Sequence, residues 1–279
     1  MMAAGLAAAA AAAWGGADYC GGRAARHATA PAVTVVAFLL GHPVLLLYAV
    51  LLAGRPRVVD LAWGAAAGAA ELGGLVLLYR ALADGQMAQV APVSALTTSL
   101  VPMAVGVAIG PTPTAVALSG AACAAVAVPL VSAGSGGAEG PRRARLRPFA
   151  SGMAAGVLFG AFFILLARTG TGSGLWPVVA ARSMAIALGL LATGGLHRHL
   201  QLPPVARPWV AAAAAGEVAA SVLYLLAVRG GLLSVVAPIV ALAPAITVLL
   251  AVAIDRERLR PVHCAGLALA AAAIVLTGI

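Results

Sequence analysis

The chain has 279 residues, of which 63% are hydrophobic and only 9% are charged, and its mean hydropathy is +1.05. A soluble protein carries a larger share of charged residues, about 25%, because much of its surface faces water. The net charge of +9 comes from 17 arginines, since the chain has no lysine. These arginines lie between apolar runs and form no continuous patch, which argues against a nucleic-acid-binding surface and predicts a protein of the lipid bilayer.

Apolar runs bounded by charges, proline or glycine predict ten membrane-spanning helices of about 20 residues each. The predicted spans are 3–22, 31–53, 58–79, 86–109, 113–133, 149–168, 175–195, 208–228, 231–254 and 261–279. We interpret the first span as a retained helix and not a cleaved signal peptide, because it lacks a positively charged leading segment. The predicted fold class is an all-α integral membrane protein.

A stretch rich in glycine, proline and arginine divides the chain nearly in half. It covers residues 134–148 and includes the sequence SGGAEGPRRARLR. Such a composition is typical of a connection and not of a membrane span. We therefore interpret it as a linker between two five-helix units, residues 1–133 and 149–279.

The two units are related in sequence. A shift of 146 positions places residues 61–96 on 207–242 without a gap, and it pairs Trp63 with Trp209, Glu71 with Glu217 and Pro92 with Pro238. A shift of 145 pairs Trp14-Gly15 with Phe159-Gly160 and Arg23 with Arg168. Because five spans are an odd number, the second unit must insert upside down, which predicts two inverted repeats of the kind found in secondary transporters. Duplication for stability alone, without transport, is the alternative.

Four ionisable side chains fall inside predicted spans, namely Asp18, Glu71, Arg182 and Glu217. An ionisable group in the bilayer costs about 2.5–3.5 kcal/mol on insertion scales and usually faces a cavity or a partner. We predict that Glu71 and Glu217 line a water-filled cavity and bind an amine of the substrate or a coupling proton. Arg182 could hold a carboxylate or phosphate. The alternatives are an internal Arg182–glutamate pair, glutamates that join helices, or snorkelling of Asp18 and Arg182 to an interface.

Two prolines occupy matching places near the start of the fourth and ninth spans. Pro92 and Pro238 each remove a backbone donor, and matched interruptions in both units point to a binding region, with a shaped bend as the alternative. Tyr79 and Tyr224 complete the candidate substrate-binding or coupling residues. We predict no catalytic residue and no metal site, because the three cysteines are far apart and the histidines lie mostly at span ends.

Three groups of motifs are characteristic of a known family. They are Trp14-Gly15-x-x-Asp18-Tyr19-x-Gly21-Gly22-x-x-x-Arg26, residues 79–83 with 90–96, and residues 242–250 with 256–259. By these motifs the chain resembles the EamA-type branch of the drug/metabolite transporter superfamily over essentially its whole length. It departs from that pattern at residues 110–114, where the family usually has an acidic–basic pair.

The resemblance implies a ten-helix alternating-access carrier with no cofactor and no ATP-binding part, and the chain has no GxxxxGK[ST] motif. The expected function is a secondary transporter that exports a small metabolite or drug-like solute across the inner (cytoplasmic) membrane, driven by a gradient such as that of protons, or by facilitated diffusion. A functional monomer is expected, since four-helix relatives must dimerise to build what this chain holds in one piece. The alternatives are a membrane-embedded enzyme and a non-transporting partner or scaffold subunit.

Two observations conflict on orientation. Odd-numbered loops contain twelve arginines and even-numbered loops contain four. The positive-inside tendency therefore places the linker in the cytoplasm and both termini outside. Resemblance to ten-helix relatives suggests cytoplasmic termini, so both orientations stay open.

Overall fold

A computed structural model of the chain describes residues 2–52, 54–83, 87–110, 113–132, 142–193, 202–255 and 261–278. Within these ranges the chain forms eleven α-helices and one 3₁₀ turn, Thr171–Ser173. The helices of the first unit are α1 Met2–Ala25, α2 Ala30–Leu51, α3 Val58–Ala83, α4 Met87–Ile109 and α5 Ala115–Ser132. Those that follow are α6 Arg142–Ala167, α7 Trp176–Thr193, α8 Arg207–Gly230, α9 Leu233–Val240, α10 Ala243–Asp255 and α11 Pro261–Gly278.

The all-helical class is confirmed, and each predicted span contains one helix except the ninth, which contains two. Four helical segments of the described ranges are long and apolar enough to cross a membrane, at Pro31–Leu51, Phe149–Ala167, Arg207–Gly230 and Leu233–Ile254, the last of which comprises α9 and most of α10. Shorter apolar helices lie at Val93–Ile109, Ala115–Val128, Trp176–Ala192 and Cys264–Ala273. The count of ten spans and the inverted repeat stay predictions.

The helix α6 begins earlier than the apolar pattern predicts. It starts at Arg142, inside the stretch interpreted as a linker over 134–148. Arginine is a good helix former, so a charged segment can continue a helix beyond the end of its apolar part. Hydropathy therefore marks the start of the apolar segment at Phe149 and not the start of the helix.

The ninth span is broken in the middle. α9 ends at Val240, α10 begins at Ala243, and the Leu242 amide donates to the Ile239 carbonyl at 3.1 Å instead of continuing the α-helical pattern. Pro244 has no amide hydrogen, so the carbonyl four residues before it, that of Val240, loses its helical donor. A discontinuous helix of this kind leaves backbone groups available inside the bundle.

Helices of one unit pack mainly against helices of the other. α1 lies along α8 and contacts α9 and α10, whereas α6 lies along α3 and α4. α5 packs along α11, and α4 packs against α9. In the predicted repeat α1 corresponds to α6 and α3 to α8, so α1–α8 and α6–α3 are the exchanged pairs that an approximate twofold axis would produce.

Glycines set the closest of these contacts. A Cβ atom at Gly64 or Gly68 of α3 would overlap with the backbone of α7, at Pro177 and Ala181 respectively. A Cβ atom at Gly156 of α6 would lie 2.5 Å from the Ser94 carbonyl oxygen of α4. Small residues at such positions let two helix backbones touch, which is a main source of helix association in membranes.

We expect Gly68→Ala to destabilise the protein, because the added methyl group has to displace the α7 backbone. Overpacking of this kind typically costs about 1–3 kcal/mol. Gly16→Ala in α1 is the matched control, since a Cβ atom there has nothing within 4 Å. Melting of both purified variants in detergent measures the effect, and equal melting temperatures would contradict the assignment of Gly68 as a contact point.

A charged site between the two units

Arg182 lies between the two glutamates that the repeat pairs. Its side chain projects from α7 and is only 4% exposed. Nη1 is 3.6 Å from Oε1 of Glu71 on α3, and Nη2 is 3.3 Å from Oε2 of Glu217 on α8. One guanidinium group therefore joins the carboxylates of both units.

Further side chains hold this arrangement in place. The Trp14 indole N–H of α1 donates to Glu217 Oε2 at 3.1 Å, and Arg182 Nη2 donates to the Ser221 hydroxyl at 3.2 Å. The guanidinium carbon lies 3.8 Å from the centroid of the Phe38 ring of α2, a cation–π contact. Four helices besides α7 thus contribute to the surroundings of one arginine.

The charged site lies about midway between the two ends of the helix bundle, because both of its glutamates are near the middle of their helices. Glu71 is near the centre of the 26-residue α3, and Glu217 is near the centre of the 24-residue α8. At 1.5 Å per residue, each glutamate is roughly 15–20 Å along the helix axis from the ends of its helix. Glu217 and Ser221 are four residues apart, so both lie on the face of α8 that meets Arg182.

The charges of the site do not balance. One guanidinium faces two carboxylates, and Asp18 of α1 adds a third carboxylate close enough to Glu217 for the two to repel. Asp18 is exposed, in contrast to Glu71, which is 8% exposed. Within the described ranges Arg182 Nη1 is buried and makes no hydrogen bond. The site can therefore accept a positive charge at its carboxylates and an acceptor oxygen at Nη1.

The remaining candidate residues lie apart from Arg182 or outside the description. Tyr224 is fully buried, and its hydroxyl donates to the Phe163 carbonyl at 2.6 Å. It packs in an aromatic cluster with Trp14, Phe162 and Phe163, so Trp14 is its link to the charged site. Pro238 is buried within α9, two residues before the helix break. Tyr79 and Pro92 lie outside the residues whose side chains the structure describes.

Three contacts of the site were not among the candidates from the sequence. Trp14, Phe38 and Ser221 all touch Arg182 or Glu217. A signal existed for two of them, because Trp14 is one helical turn before Asp18 and Ser221 is one turn after Glu217. Phe38 offered none, since an aromatic residue in an apolar span is ordinary.

Metal binding finds no support in the described part of the chain. No group of three or more His, Cys, Asp or Glu side chains is placed there to hold a metal ion. The cysteines that sequence analysis regarded as separate are free: Cys20 and Cys123 are partly exposed, and Cys264 is exposed.

The long apolar helices of the described ranges indicate a multi-pass membrane protein. A sequence model of the EamA-like transporter family matches residues 148–279. This match to residues 148–279, just under half of the chain, confirms the resemblance drawn from the motifs.

No curated protein matches the sequence. Fourteen chains of solved structures match the fold. One of them, described simply as the crystal structure of a protein, aligns with a TM-score of 0.76 and 17% sequence identity. The alignment covers 99% of this chain and 96% of that chain, so the likeness of fold extends over the first unit, which the family match does not reach.

We expect Arg182→Gln to destabilise the protein strongly, because it leaves two carboxylates at mid-height without their counter-charge. Breaking a buried pair by removing one partner typically costs about 3–5 kcal/mol. The triple variant Glu71→Gln/Arg182→Gln/Glu217→Gln removes all three charges and should recover part of that loss. Melting temperatures in detergent measure both, and a single variant as stable as the parent protein would contradict the ion-pair assignment.

Proposed function

We propose that the chain is a secondary carrier that exports a small metabolite or drug-like solute across the cytoplasmic membrane by alternating access. The observation that carries the proposal is Arg182 held between Glu71 and Glu217 at the middle of the bundle. The match of residues 148–279 to a transporter family supports transport as the activity. Substrate, direction and coupling are part of the proposal.

The charge balance favours a solute with an amino group, or a proton, as the species bound at the carboxylates. Asp18 aside, the carboxylates of Glu71 and Glu217 and the guanidinium of Arg182 leave a net charge of −1 when all three are ionised. A bound cation or proton neutralises that charge, whereas a bound anion would raise it to −2 in a region where uncompensated charge is costly. Nη1 of Arg182, which pairs with Glu71 at 3.6 Å but makes no hydrogen bond, suits an acceptor oxygen of the same solute.

Binding at this site would act on the contact between the two units. The Arg182–Glu71 pair joins α7 to α3, and the Trp14–Glu217 hydrogen bond joins α1 to α8, so both cross from one unit to the other. A solute amine or a proton that competes with Arg182 for a carboxylate weakens one of these links. A ligand shifts a conformational equilibrium only by such a difference in contacts between the states.

The non-transporting alternative draws on the same residues. Arg182 joins glutamates on two other helices, so the three charges could serve only to hold the bundle together. A scaffold subunit of that kind binds no metabolite. Ligand binding therefore separates the two functions more directly than stability does.

We expect an amine-bearing solute to raise the melting temperature of the purified protein in a panel of amines, amino acids and anionic metabolites. A ligand at a hundred times its dissociation constant stabilises by about 2.7 kcal/mol. Glu217→Gln should abolish the shift and Glu71→Gln should reduce it. Glu139→Gln, the same chemical change in the stretch interpreted as a linker, should leave the shift unchanged.

Uptake of the identified solute into proteoliposomes, with and without an imposed pH gradient, then measures transport and coupling. A panel with no shift for any solute would favour the scaffold alternative. Binding and transport that survive both Gln substitutions would show the site assignment to be wrong while leaving the fold intact.

A further inference from the structure

Two loops, one from each unit, are hydrogen-bonded at one end of the bundle. Residues 54–60 comprise the end of the α2–α3 connection and the first residues of α3, and residues 170–174 lie between α6 and α7; we call their contact the clasp. Asp60 is 3% exposed in the first turn of α3, and its Oδ1 accepts the Gly170 amide at 3.0 Å. Its Oδ2 accepts the Ser173 hydroxyl at 2.5 Å. A carboxylate of one unit is therefore satisfied by two donors of the other.

Backbone groups extend the clasp on both sides. The Arg55 amide donates to the Gly172 carbonyl at 2.8 Å, and the Arg57 amide donates to the Ser173 hydroxyl at 3.2 Å. Arg229, in the last turn of α8, donates from Nη2 to the Gly170 carbonyl at 3.0 Å. Hydrogen bonds to a charged acceptor are stronger than neutral ones, so Asp60 is the main anchor.

The two loops touch at their backbones. A Cβ atom at Gly54 would lie 2.8 Å from both the Cα and the amide nitrogen of Gly174. Gly174 has a φ of +54°, a conformation that side chains other than glycine rarely adopt. Both glycines are thus needed for the loops to come this close.

The opposite end of the bundle has a different chemistry at the equivalent place. In the predicted register of 146, Asp60 corresponds to Ala206, and in the register of 145, Ser173 corresponds to Ala28. Ala206 is fully buried in an apolar cluster with Ala24, Val33 and Leu202, and Ala28 packs against that cluster. At these two positions the opposite end is therefore apolar where the clasp is polar and charged, and beside them Arg23 of α1 lies 4.7 Å from the centroid of the Trp209 ring of α8.

We propose that the clasp is a lock which holds one end of the carrier shut, with Asp60 and Ser173 as its positioning residues. This inference rests on the proposed function, because a lock matters only if that end opens during transport. Opening must break several hydrogen bonds at the clasp, two of them to a buried carboxylate, whereas opening the other end separates the apolar cluster around Ala206 and the Arg23–Trp209 contact. The clasp thus biases the carrier toward the state that is closed at residues 54–60 and 170–174.

Hydrogen exchange measured by mass spectrometry tests the lock without any substrate. We expect Ser173→Ala to speed exchange of peptides covering 54–60 and 170–174 roughly tenfold, which corresponds to about 1.4 kcal/mol. Ser119→Ala is the matched control, since that hydroxyl is exposed and donates to the Val116 carbonyl of its own helix. Asp60→Asn should have an effect at least as large. Exchange in Ser173→Ala equal to that in Ser119→Ala overturns the proposal.

A disulfide across the clasp tests whether this end has to open. Arg55 and Gly172 are both exposed and their backbones are hydrogen-bonded, so R55C/G172C can form the bridge after Cys20, Cys123 and Cys264 are replaced by alanine. We expect oxidation to stop counterflow of the solute while its thermal shift persists, and reduction to restore counterflow. Counterflow that continues in the oxidised protein overturns the lock but leaves the carrier in place. If no solute in the panel binds, the proposed function is wrong, whereas the hydrogen-exchange comparison still reports on the clasp itself.

Discussion

The cost of an ionised group in a bilayer is the constraint on which the centre of this protein depends. Glu71, Arg182 and Glu217 are each unfavourable alone at mid-height, and they are tolerated because one guanidinium serves two carboxylates. This requirement fixes α3, α7 and α8 relative to one another, because the three charges must stay within about 4 Å. Trp14 adds α1 to the same group through its bond to Glu217.

Close packing of small residues makes the charged contact possible. Gly68 of α3 meets the backbone of α7 at Ala181, and Glu71 follows Gly68 by three residues while Arg182 follows Ala181 directly. The backbone contact therefore lies beside the ion pair and keeps it short. The glycine contact that brings α3 and α7 together therefore also places Arg182 within reach of Glu71.

Much of the fold could be predicted from the sequence, because the bilayer requires long apolar helices. Ionisable residues within such helices are easily identified. Glu71 and Glu217 stood out as charges in apolar spans, and Arg182 stood out in the same way. The break after Val240 was harder to predict, since Pro244 permits a helix interruption without requiring one. Asp60 was missed because an acidic residue at a helix start looks like an ordinary partner of the helix dipole. Its donors are more than a hundred residues away in the chain, and no local pattern reports such contacts.

The predicted repeat relates the helices of the two units, but it does not relate the charged and polar side chains that join them. In the predicted registers the two glutamates are equivalent, but Arg182 corresponds to Ala37 or Val36, both of which are buried in the apolar cluster near Ala206. The Asp60–Ser173 pair likewise has only alanines as counterparts. A carrier built from two identical halves would have equal energies when open to either side, since the twofold axis would exchange the two states. In the proposed carrier, Arg182 and the polar clasp remove that equality, so departures from the predicted repeat would favour one of the two states.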